Sequence, residues 1–165
     1  MTHVTRTLHA ALLGLALLYA TTAPARAADD GVVRVVYHAD FADPRRFSAM
    51  LTSIHNMVTT YENELVDYDV RIVFVAHGIR FVTDDKLEQS PFAADADLEA
   101  RRDNLKGRLA ALNETKGVKL ELCEITRSQI NLPADRLYPA VEAVTSGVVR
   151  IAELQHQGFS YIKVE

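Results

Sequence analysis

Apolar and polar positions follow two periods along this chain. Residues 32–38 (VVRVVYH) and 70–76 (VRIVFVA) are nearly continuous β-branched runs, the pattern of strands buried on both faces of a parallel sheet. Between them, Asp43-Pro44 supplies an N-cap followed by proline at the first helical position. Phe47, Met50, Leu51, Ile54, Met57, Val58 and Tyr61 then recur at helical spacing, which predicts an amphipathic helix packed on the sheet. A second helix is predicted over 95–114, where Leu98, Leu105, Leu109 and Leu112 form a stripe opposite a charged face. Lys116-Gly117 is its stop signal.

Residues 118–123 read as a short third strand ending in Cys123, and 126–130 as one or two helical turns. Residues 140–145 form a weaker fourth strand. Ser146-Gly147 then caps a helix carrying Val148, Ile151, Ala152 and Leu154, which stops at Gly158. Residues 159–164 (FSYIKV) predict a fifth strand. The segment 79–94, with Phe81, Asp84-Asp85 and a Ser90-Pro91 break, reads as loop with a short helical turn. Strands alternating with helices over short links predict an α/β fold, a three-layer α/β/α sandwich around a mainly parallel five-stranded sheet.

The N-terminus has a different character. Arg6, an apolar run over 10–20 and the small-residue pattern Ala25-Arg26-Ala27 predict a cleavable signal peptide over 1–27. The run is short for a bilayer span. Residues 28–165 are then a single domain, periplasmic or otherwise exported, with no stable membrane insertion after processing. The whole chain has a formal net charge of −4 at pH 7, and loss of Arg6 and Arg26 makes the remainder more acidic. Without a basic stripe or interleaved aromatics, nucleic acid is not an expected partner.

Export makes the cysteine count informative. Cys123 is the only cysteine, so it cannot close a loop within the chain. It is a free thiol, an intermolecular half-cystine or a transient adduct. In a parallel α/β sheet, ligands bind beyond the carboxyl ends of the strands. The predicted strand ends there carry His38 with Asp40 just beyond, His77-Gly78, Cys123, and Thr145-Ser146-Gly147. A helix starting after Cys123 would favour its thiolate, as would a nearby imidazolium. Glu124 opposes this and Arg127 offsets Glu124.

Such a thiolate, lacking a partner cysteine, can carry sulfur as a persulfide or form a mixed disulfide with a partner. The candidate catalytic residues are therefore Cys123 as nucleophile and His77 as the group orienting or charging it. His38, Ser146 and Gly147 are candidate contacts for an anionic substrate. No ligand spacing supports a metal, and no cofactor is expected. Each residue also has a plainer reading. Cys123 can be core packing, the histidines can bond loop carbonyls, Gly78 can serve a tight turn, and Ser146 can be an ordinary N-cap. On that reading the chain is a non-catalytic module that binds a small ligand or partner.

Four segments, in order and spacing, resemble the DsrE/DsrF-like proteins of sulfur relay, and in particular their exported, stand-alone branch. They are VVYHADFADPRRFSAMLTSIHNM at 35–57, VFVAHGIRF at 73–81, GVKLELC at 117–123 and VTSGVVRIAELQHQGFSYIK at 144–163. The resemblance implies an α/β/α fold assembled as a homotrimer or homohexamer. It also implies a cysteine at the end of the third strand that carries sulfur as a persulfide. Cys123 stands at that position. The expected function is an exported sulfur carrier or sulfurtransferase-like protein, whose partners are sulfur donor and acceptor proteins or small sulfur species.

Overall fold

A computed structural model describes residues 30–164; the expected signal peptide lies outside the described residues. Five strands are present: β1 (Val33–Ala39), β2 (Tyr68–Phe74), β3 (Lys119–Cys123), β4 (Val141–Val144) and β5 (Ser160–Lys163). They form one sheet in the order β4-β3-β2-β1-β5, and every neighbouring pair is parallel. Four α-helices connect or flank them: α1 (Pro44–Asn63), α2 (Ala96–Lys116), α3 (Glu124–Gln129) and α4 (Gly147–His156). Among the described residues no helix is long and apolar enough to cross a membrane.

Strand alternation divides the sheet into two unequal faces. Val35, Tyr37, Val70, Ile72, Phe74, Leu120 and Leu122 point to one side. There they meet Phe47, Met50, Leu51, Ile54 and Val58 of α1, and Leu98, Leu105, Leu109 and Leu112 of α2. The other side has a small cluster, in which Val36 and Val73 pack under Ile151 and Leu154 of α4, with Phe159. The ten residues of α4 lie across β1, β2 and β3. Edge strands β4 and β5 keep most of their residues partly or fully exposed.

The predicted caps Asp43 and Ser146 are in place, and Asp95 caps α2 as well. Asp43 accepts from the amides of Arg45 at 2.7 Å and Arg46 at 3.3 Å. Asp95 accepts from Leu98 at 2.8 Å, and Ser146 from Val149 at 3.5 Å. Strand and helix limits differ from the sequence reading by a few residues. The difference that matters is at α3, which begins at Glu124, directly after Cys123. The sequence pattern placed its start two residues later, because Glu124 and Ile125 carry no helix-start signal of their own.

The segment 79–94 is loop with a short helical turn, as expected, but its apolar residues tie it to the core. It opens with a 3-10 helix (Ala76–Phe81) and buries Ile79, Phe81, Val82, Leu87 and Phe92 in the large core. Its carbonyls are satisfied by two buried arginines. Arg80 donates to the carbonyl oxygens of Ala42 at 3.3 Å and Ala93 at 2.7 Å, and to Asp95 at 2.8 Å. Arg102 donates to the carbonyls of Arg80 at 3.2 Å and Thr83 at 2.6 Å. Buried loop backbone needs such partners, and the planar guanidinium supplies several donors at once.

Gly78 shows why this segment closes tightly. Its φ is not in the left-handed region, so turn conformation is not what requires glycine. A Cβ there would lie 2.1 Å from the Ala39 carbonyl oxygen and 3.3 Å from Phe74 Cβ. Gly78→Ala is therefore expected to destabilise the fold by about 1–3 kcal/mol. Urea unfolding should show a lower midpoint with an unchanged slope; an unchanged midpoint would mean that the Ala39 carbonyl yields freely.

Candidate functional site

The pairing of β3 with β4 sets the environment of Cys123. It ends β3 and sits opposite Val144 of β4. From Val144 the chain passes through Thr145 and Ser146 and turns back as α4, whose first residue is Gly147. That first residue lands on the cysteine. A Cβ at Gly147 would lie 3.0 Å from Cys123 Cβ and 2.6 Å from Val75 Cγ2. Any larger residue pushes the start of α4 away, so glycine is needed here for close approach and not for a special φ.

Cys123 is also the N-cap residue of α3. Its side chain thus faces the amide ends of two helices, and it is 4% exposed. Burial pushes the thiol up, but the amide of Gly147, then the amide and hydroxyl of Thr126 and the amide of Ile125, pull it further down. The net direction is below the ordinary thiol value. No regular cap bond reaches the sulfur, so the effect is the electrostatic pull of oriented N–H groups on a developing negative charge.

A buried ion-pair network fixes α4 in this place. Glu121, two residues before Cys123 and on the same face, is 2% exposed. It accepts from Arg71 of β2 at 2.9 Å and from Arg150 of α4 at 2.7 and 2.9 Å. Burial pushes the Glu121 carboxyl up, but the bonds from Arg150 and Arg71 bring it below its ordinary value. Arg71 is itself anchored, bonded to Asp69 at 2.7 and 3.1 Å and stacked over the Phe159 ring at 5.2 Å. Arg150 lies one helical turn after Gly147, so the network holds the helix start against the thiol.

Glu124, which opposes a thiolate in the sequence reading, is paired with Arg127 by a two-pronged contact. That contact holds its carboxyl below the usual range. Ile125, Val148 and Val149 are exposed apolar residues at the first turns of α3 and α4. The groove between α1 and α2, lined by Leu51, Thr52, His55 and Arg108, belongs to the opposite face and does not touch this site.

The two histidines take different places. His77 stands in the 3-10 segment after β2 and meets the Phe92 ring edge-on, with centroids 5.2 Å apart. The strongest influences on the thiol come from backbone amides and Thr126, not from an imidazole. His38 is the penultimate residue of β1, separated from β3 by β2, so roughly 10 Å of sheet lies between their tips. Its Nδ1 pairs with the Tyr161 hydroxyl at 3.0 Å, and its Nε2 is 3.9 Å from Asp40. Burial pushes the His38 ring down, Asp40 raises it and Lys163 lowers it, for a net lowering. Ser146 caps α4 from the solvent side. Among the described residues no group of three or more His, Cys, Asp or Glu side chains is placed to hold a metal ion.

Sequence reasoning missed Thr126 and the network of Glu121, Arg71 and Arg150. One signal was present for each. Thr126 is three residues after Cys123, the N3 position once Cys123 is a cap. Glu121 and Arg71 are charged residues inside apolar strands, which in a sheet covered on both faces call for a partner.

The family model described as the DsrE/DsrF-like family matches residues 31–164. The chain belongs to the DsrE/DsrF-like family. Membership suggests a sulfur-relay-type role. Among solved structures, this family member is similar to MTH1491 from Methanobacterium thermoautotrophicum, titled a protein of unknown function. The two are 23% identical with a TM-score of 0.61, over 79% of this chain and 98% of that one. It is also similar to the YchN protein from E. coli, at 18% identity and a TM-score of 0.54, with the same 79% and 98% coverage. These likenesses show the shared fold. No curated protein matches the chain at a significant level.

The position of Gly147 in this DsrE/DsrF-like domain leads to a direct test. A thiol lowered in the folded state contributes stability at pH values above its unfolded pKa. That contribution is lost as the pH falls through the folded pKa. The rate of iodoacetamide alkylation should rise through an inflection lower than that of the urea-unfolded chain. Gly147→Ala should shift the inflection upward, because the helix start is displaced. An unchanged inflection in a folded Gly147→Ala protein would contradict this account of the thiol.

Proposed function

We propose that this chain is an exported sulfur carrier of the sulfurtransferase type, with Cys123 as the persulfide-bearing group. The observation that carries the reading is a single strand-end cysteine whose thiol is lowered despite burial. Thiolate is the attacking form in sulfur exchange. Near neutral pH, a lowered value raises its fraction while leaving it a competent nucleophile and leaving group.

The transfer is balanced without an external oxidant. The Cys123 thiolate attacks the outer sulfur of a donor persulfide, forming a new S–S bond as the donor's own S–S bond breaks. The donor departs as a thiolate, or as sulfite when the donor is thiosulfate. In the second half, an acceptor thiolate attacks the outer sulfur and Cys123 leaves as thiolate. His77 is assigned to orienting or charging the thiolate. His38 and the Ser146–Gly147 helix start are assigned to the anionic sulfur species.

Export is supported by the signal-peptide pattern of residues 1–27, and assembly as a homotrimer or homohexamer by the family resemblance. The opposing view, a binding module with Cys123 as packing, has the residue's burial in its favour. The lowered thiol weighs against it, because apolar packing alone raises a thiol. Incubation with sulfide plus an oxidant, or with thiosulfate and a sulfurtransferase, is expected to add one sulfur atom by intact mass. Cys123→Ser should add none. An equal gain in Cys123→Ser would overturn the assignment.

A further inference from the structure

Both long helices leave through a residue in the left-handed region, Gly117 after α2 at φ 65 and Leu65 after α1 at φ 55. Glycine is the ordinary residue there, because a Cβ crowds the following carbonyl. The turn after α1 is closed by backbone bonds, from Leu65 to Glu62 at 3.2 Å and from Val66 to Tyr61 at 2.9 Å, which a glycine would make equally well. A leucine in this conformation needs something to offset the strain. Leu87, at φ 52, has it: the side chain is 5% exposed and fills the large core. Leu65 is 93% exposed, more than any other large apolar side chain among the described residues. Neither the turn nor the core accounts for it.

The charges beside Leu65 narrow what could cover it. Glu62, Glu64 and Asp67, all exposed, lie within three residues of it. Such a rim disfavours an anionic membrane surface and suits an apolar socket with cationic edges. The groove between α1 and α2 has that character. It encloses about 340 Å³, with Leu51, Ala111 and Leu112 as apolar wall, His55, Arg108 and Lys116 as its charged or titratable lining, and no carboxylate. Lys116 is paired with Glu62. Arg108 donates to Ser48 Oγ at 2.6 Å, to the Ser48 carbonyl at 2.9 Å and to Thr52 Oγ1 at 2.7 Å. Among the described residues Arg108 has no carboxylate partner, so its charge is open to one from outside.

Knob and socket are adjacent, since Lys116 borders the groove and pairs with Glu62 at the end of α1. A patch carrying both is self-complementary, and a two-fold axis can seat each leucine in the groove of the other copy. We propose that Leu65 anchors a contact between two copies of this chain, each leucine entering the α1–α2 groove of the other. Glu64 and Asp67 then face the partner's His55 and the partner's Arg108. Leu65 precedes β2, at the amino ends of the strands, whereas Cys123 closes β3 at the carboxyl ends, so this contact does not cover the thiol.

Sedimentation equilibrium over a range of protein concentrations tests the contact, with thermal unfolding in dilute solution as the control for folding. Asparagine tolerates the left-handed turn, so Leu65→Asn should unfold at or above the wild-type midpoint. Loss of an interface anchor should weaken association by at least about tenfold. At concentrations where the wild type is assembled, Leu65→Asn should have half its mass. His55→Glu sets a carboxylate against the partner's Glu64 and should weaken association in the same direction; adding Glu64→Lys should recover most of that loss. A folded Leu65→Asn protein with the wild-type mass at every concentration overturns the proposal and leaves Leu65 to a partner of another kind. A double variant that associates no more tightly than His55→Glu overturns it as well.

Discussion

Gly147 brings the amide end of α4 to within van der Waals contact of Cys123, and much of that sheet face serves to keep it there. Burial of a thiol in apolar surroundings disfavours its charged form. At Cys123 the opposing pull comes from backbone dipoles, which are rigid and need no counter-ion. The amides win because two helices start beside the same sulfur, α4 in space and α3 in the chain. Moving either start outward would leave a buried thiol with only the penalty of burial.

The two faces of the sheet divide the work. α1 and α2 bury one face in a continuous core, and the segment 79–94 seals that core with aromatic and aliphatic side chains held by Arg80 and Arg102. The other face is covered by one short helix, so its position depends on polar anchoring more than on apolar area. Breaking a buried charged pair by removing one partner leaves the other uncompensated. Glu121 with Arg71 and Arg150 therefore restricts α4 to one seat. A thin layer fixed by a few strong contacts suits a site that a sulfur donor must approach.

The elements were legible wherever one period dominated. The β-branched runs of β1 and β2, the Asp43-Pro44 start of α1 and the leucine stripe of α2 all emerged with limits close to those observed. The parallel five-stranded sheet followed from their alternation, and so did the placing of Cys123 at a strand end. What stayed hidden depends on contacts between distant residues. The segment 79–94 lacks a period because its apolar residues each fill a separate gap in the core. Gly78 is glycine because of a carbonyl 39 residues earlier in the chain, at Ala39, which no local turn rule contains. Thr126 and Glu121 acquire their roles only when α3 begins directly at Cys123 and α4 folds back over β3.

The central claim is that this fold lowers the Cys123 thiol while burying it. The most direct measurement is a pH titration of the ultraviolet thiolate absorbance, in the folded chain and in the same chain unfolded in urea. With a single cysteine, the signal change that Cys123→Ser lacks belongs to this residue alone. A folded midpoint below the unfolded one is the expected result; a folded midpoint equal to or above it would contradict the account.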